Sequence, residues 1–147
     1  TCALPIWDIK NILHFEEAVF FTGDFNEPSH LDWTEEATQA EIYPIKVAYP
    51  TSMQVSKIGL KDAFRELFPD PVKVPGFTWP AGTYPDSPNP SVADPHDRID
   101  FIYFAGKKVR VKNVQRLGED SETSDIAFEK YPSDHRAVLA TFELDGA

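Results

Sequence analysis

Four runs of β-branched and aromatic residues constrain this chain most: residues 18–22, 99–104, 109–117 and 137–144. Branched and aromatic side chains pack well on a pleated surface, so short runs of this kind predict strands rather than helices. The first run, Ala-Val-Phe-Phe-Thr, is apolar on both faces, which predicts a central strand in a covered sheet. Gly23 follows it and permits a tight exit. Phe77, Thr78 and Trp79 add one further short strand.

Helical signals are sparser. Ser29 and Asp32 read as a capping box, predicting a helix from Ser29 through about Gln39. A second helix is expected over residues 58–68, where Leu60, Ala63, Phe64, Leu67 and Phe68 form one apolar stripe. Lys61, Asp62, Arg65 and Glu66 would then face outward, and Pro69 and Pro71 would end the helix. Ile9, Ile12 and Leu13 fall at helical spacing near the N-terminus, whereas residues 43–57 and 118–132 read as loop. Strands joined by few helices fit a layered α+β sandwich.

At 147 residues the chain is long enough for one domain with its own core. A composition that is 41% hydrophobic and 26% charged is that of a globular chain. The net charge of −10, without a basic block, disfavours tight nonspecific nucleic-acid binding. No stretch approaches the ~20 apolar residues that a membrane span requires. Cys2 is the single cysteine, so there is no internal disulfide framework. Eight of the 13 prolines lie between residues 69 and 95, in a segment too aromatic for an inert linker. It predicts a long ordered loop over the sheet edge.

Three acidic motifs abut the strand runs: Gly23-Asp24-Phe25-Asn26, then Asp97-Arg98-Ile99-Asp100-Phe101, then Ser133-Asp134-His135. On extended backbone, Asp24 and Asn26 point to one face. A carboxylate there can orient or deprotonate a water, and an amide can donate to a phosphate oxygen gaining charge. An ordinary Asx turn is the alternative for this pair. His135 suits a general base and needs a carboxylate to fix its tautomer. Asp100 is the candidate, because an ionised carboxylate inside an apolar run must be paired.

Other residues have competing readings. Arg98 either neutralises a phosphate oxygen or pairs with Asp97 or Asp134. His30 and Asp32 suggest a second metal site, but capping accounts for them better. His96 and Asp94 belong either to a pocket mouth or to a solvated loop. Trp33, Trp79 and Tyr84 read as packing before stacking on a ligand. Glu16 and Glu17 read as solvated.

The three motifs, in this order and spacing, resemble the endonuclease/exonuclease/phosphatase superfamily of deoxyribonuclease-like phosphoesterases. The resemblance covers roughly residues 18–144 and only the C-terminal half of such a domain. It implies half of a four-layer α/β-sandwich with mostly antiparallel sheet. It also implies a metal-dependent phosphoester hydrolase, either phosphodiesterase or phosphomonoesterase, with a His-Asp activated water. The residues that match the family motifs are Asp24 to position the nucleophile, Asn26 to hold the scissile phosphate, and Asp100 with His135 as the dyad. Asp134 matches the metal-associated aspartate, and Arg98 is carried as a substrate-binding candidate. The implied cofactor is a divalent ion, Mg²⁺ before Mn²⁺, which takes carboxylate oxygens and waters.

The family's principal metal ligand is a glutamate in the first half, with no counterpart assigned here. The expectation is therefore an incomplete domain over residues 7–147, inactive alone. Residues 1–6 match the translation of a sequencing-library adapter and are expected to be non-native. The expected partner is a phosphoester substrate, with nucleic acid disfavoured by charge, no membrane span and no obligate protein partner evident. A DNA-processing nuclease of the same fold and a non-catalytic binding module are the alternatives. Localisation is left open.

Overall fold

The computed structural model describes residues 18–81 and 96–145. The adapter-like residues, the Ile9–Leu13 spacing, Glu16, Glu17, Tyr84 and Asp94 lie outside them. The chain is mixed α+β, with two small, mostly antiparallel sheets and short helices. In chain order the elements are β1 Val19–Asp24, α1 Glu35–Gln39, α2 Pro50–Lys57, β2 Lys61–Asp62 and α3 Ala63–Leu67. β3 Asp100–Ala105, β4 Val109–Gly118, β5 Ile126–Ala127 and β6 Ala137–Leu144 follow.

The first sheet has the order β1-β3-β2 and the second β5-β4-β6. Residues of β3 alternate between two cores, as period-two backbone dictates. Phe101, Tyr103 and Ala105 pack with Val55 and Leu60 under α2, joined by Val19, Phe21 and Phe25. Phe104 packs from the other face with Ala63, Phe64, Val109, Val111 and Val114, joined by Ile102, Val138 and Phe142. Burying each of these large side chains stabilises the fold by roughly 1.5–3 kcal/mol. β3 is therefore the strand that both cores share, and Asp100 is its first residue.

Several expectations need correction. Among the described residues β1 lies at an edge of its sheet rather than at the centre, and its Phe20 is 45% exposed. Residues 50–57 are helical instead of loop, with Pro50 at the first turn, where its missing N–H costs nothing. The helix expected over 58–68 begins only at Ala63, because the Asp62 carboxylate caps it by accepting from the Phe64 and Arg65 amides. Asp62 and Arg65, expected on the outer face, are buried. Residues 77–79 contribute an isolated bridge between Trp79 and Asp97 rather than a strand. Residues 118–132 are mostly loop but contain the two-residue β5.

The capping box also fails. Thr34, not Ser29, caps the helix over Glu35–Gln39, its hydroxyl accepting from the Ala37 amide at 3.2 Å. Ser29 instead closes a turn, accepting from Leu31 N. Asp32 cannot return a capping bond because its side chain is drawn inward. Its oxygens take Arg65 Nε at 2.6 Å, and Arg98 Nη2 at 2.9 Å and Nε at 3.1 Å. Arg98 also meets Asp62 at 2.7 Å. Two carboxylates thus neutralise two guanidiniums, all four groups nearly inaccessible to water.

Candidate active site

Strand register brings the first two motifs together. In the β1–β3 ladder the last rung pairs Asp24 with Asp100, so their carboxylates leave adjacent strands at the same level. His135 reaches this rung from the turn before β6, and its Nδ1 lies 3.0 Å from Asp100 Oδ2. One side-chain ligand atom each from Asp24, Asp100 and His135 lies within 4.8 Å of the other two. The Asp100–His135 contact expected from sequence is present, with both side chains partly buried.

A carboxylate oxygen only accepts, so the Nδ1–Asp100 bond requires the proton on Nδ1. Nε2 of the neutral ring is then left as an acceptor, the form a general base needs. Burial lowers the imidazole pKa. The hydrogen bond and charge of Asp100, with the charges of Asp24 and Asp134, outweigh it and hold the pKa above the ordinary histidine value.

Asp24 and Asn26 meet by a different route from the one expected. Asn26 has φ of 49°, a left-handed conformation that asparagine tolerates, so the segment turns instead of continuing extended. Asn26 N donates to Asp24 Oδ1 at 2.7 Å and Asn26 Nδ2 to Oδ2 at 3.0 Å. The Asx turn and the side-chain pair are thus one arrangement. One N–H of the Asn26 amide is engaged by Asp24, and an amide NH₂ carries a second.

A cleft of about 430 Å³ opens beside the dyad, lined by Asn26, Pro28, Trp79, Asp97, Ile99, Asp134 and His135. Asp134 stands on this wall but outside the Asp24–Asp100–His135 cluster. Arg98 does not reach the cleft. Its guanidinium is 1% exposed and bound to Asp32 and Asp62, which corrects its assignment as a substrate-binding residue and the expected partners Asp97 and Asp134.

His30 and Asp32 do not converge on a metal site either. His30 Nδ1 faces Ser52 Oγ at 2.8 Å, and Asp32 is committed to the arginines. Trp33 is a packing residue, stacked on Tyr43 at 4.3 Å between centroids. His96 is exposed, with its ring against Phe77.

Sequence reasoning missed two residues at the site. Asp97 lines the cleft and accepts from Trp33 Nε1 at 2.9 Å, while burial holds its carboxyl above the usual range. Its position beside Arg98 gave no hint of this, because Trp33 lies 64 residues away. Thr78 is fully buried, and its hydroxyl accepts from the amides of both Ile99 and Asp100.

No protein-family model matches the chain. An uncharacterised protein of Caenorhabditis elegans, F14F9.5, is 34% identical to it over 128 residues, a match that takes in 84% of this chain. The chain spans about 40% of that relative's length.

Proposed function

We propose that these residues form the water-activating part of a metal-dependent phosphoester hydrolase site, within half of a four-layer sandwich of the endonuclease/exonuclease/phosphatase type. The observation that carries this reading is the Asp100–His135 pair converging with Asp24 at one rung of the β1–β3 ladder. An isolated surface histidine would not meet two carboxylates from paired strands beside an open cleft.

In this reading His135 Nε2 accepts a proton from the attacking water, and Asp100 stabilises the imidazolium that results. Asp24 orients the water. The second N–H of the Asn26 amide donates to a phosphoryl oxygen as its charge grows. A hard divalent ion such as Mg²⁺ or Mn²⁺ takes carboxylate oxygens, and Asp134, on the cleft wall and apart from the Asp24–Asp100–His135 cluster, is the proposed protein ligand. When bound, that ion would neutralise charge on the phosphoryl oxygens. For the 147 residues alone we propose little turnover, since no glutamate among them is assigned as the family's principal ligand.

The test is hydrolysis of bis-p-nitrophenyl phosphate with Mg²⁺ or Mn²⁺ by the longest natural protein containing this chain, native against His135→Ala. A loss of about 100-fold or more in the variant is expected, the scale of a general base. Equal turnover by both proteins, or none by the native protein with either ion, overturns the reading.

A further inference from the structure

We infer that Thr78 is the positioning residue that sets Asp100 and His135 at hydrogen-bonding distance. The inference rests on reading that pair as the water-activating dyad. The two side chains come from elements 35 residues apart, β3 and the turn before β6, so their separation depends on what ties those backbones together.

One short segment does so. The Thr78 hydroxyl oxygen accepts from Ile99 N at 3.0 Å and Asp100 N at 3.2 Å. Its carbonyl accepts from Arg136 N at 2.7 Å, and three residues on Ala81 N donates to the Asp134 carbonyl at 2.6 Å. His135 is therefore flanked on both sides by bonds to residues 78–81, while Asp100 is held through the Thr78 side chain. The Thr78 amide completes the fixture by donating to the Asp97 carbonyl.

The hydroxyl is the side-chain group of this segment that holds the start of β3. Thr78 has no exposed surface, so no water can replace the hydroxyl without first entering the packing. Removing it leaves two backbone N–H groups at the start of β3 without their acceptor, while the bonds to Asp134 and Arg136 stay. The start of β3 then rests on the Phe25–Ile99 and Trp79–Asp97 backbone bonds and can adjust to give its two amides new partners, while the turn that carries His135 keeps its own. The expected result is a longer Asp100–His135 separation within an otherwise native fold. A second fastening supports the same turn: the buried Arg136 side chain pairs with Glu119 beyond the end of β4.

The test reads the neutral tautomer of His135 by ring ¹⁵N shifts in the chain itself, with Asp100→Ala as the reference for a broken pair. Native protein should show the Nδ1–H form. Thr78→Val and Thr78→Ala should lower the Nδ1–H to Nε2–H ratio about tenfold, the scale of one lost hydrogen bond. Thr78→Ser keeps the oxygen and should stay native. Native tautomer ratios in both Val and Ala variants overturn the proposal. So does a changed ratio in Thr78→Ser, or failure of both hydroxyl-free variants to fold, which would place Thr78 in the general framework. Should His135→Ala leave turnover intact, the hydrolase reading fails separately, and the tautomer ratio still decides the role of Thr78.

Discussion

Asp24 and Asp100 face each other across the final rung of the β1–β3 ladder, and His135 closes on Asp100 from a third element. Like charges directly opposite on paired strands destabilise a sheet, so this rung is arranged against stability. The rest of β3 offsets it with Phe101, Tyr103 and Phe104, all buried.

Asp24→Asn tests the cost of that rung. The substitution removes one of the facing charges and keeps the shape and one oxygen for the Asn26 backbone amide, while the exposed bond from Asn26 Nδ2 passes to water. We expect a gain of roughly 0.2–1 kcal/mol in urea unfolding without metal, the scale of a cross-strand pair. On the proposed hydrolase reading, turnover by the longest natural protein should fall with the same substitution.

Asp32→Ala should be far more damaging than any change at the cleft. It leaves Arg65 without its carboxylate and Arg98 with Asp62 alone, inside an interior that water does not reach. Breaking a buried pair from one side costs about 3–5 kcal/mol. Urea denaturation should show that loss, or the variant should not accumulate in folded form.

His30 supplies a pH dependence separate from the cleft. Burial pushes its imidazole pKa down, and the charges of Asp32 and Asp62 only partly oppose this. A histidine depressed in the folded state contributes stability above its unfolded value of about 6.5. That contribution is lost as pH falls from there through the folded value, because the unfolded chain takes up the proton first. Unfolding midpoints should drop below about pH 6.5 in the native chain. The His30→Gln variant should show a shallower drop over the same interval.

How much of this could be read from sequence depends on the range of the forces involved. The strands at 99–104, 109–117 and 137–144 were legible within a residue or two, since alternation and branching are local properties. The Asp100–His135 pair was legible because a carboxylate within an apolar run needs a partner. The stripe from Leu60 to Phe68 misled, because Leu60 packs under α2 while Phe64 packs between the sheets, two cores that one helical face cannot serve. Arg98 misled for another reason. Its partners Asp32 and Asp62 lie 66 and 36 residues away, and no local pattern encodes a pairing of that span. Asn26 was placed correctly beside Asp24 through the wrong backbone, a turn in place of an extended segment.

A double-mutant cycle on phosphodiester turnover asks whether Asp100 and His135 act as one unit. Asp100→Asn and His135→Ala are measured singly and together in the longest natural protein containing the chain, at saturating Mg²⁺. Groups that act as a unit are strongly non-additive. The double variant should therefore be no slower than the slower single variant. Losses that multiply, or an Asp100→Asn variant close to native, would mean that the two side chains act separately.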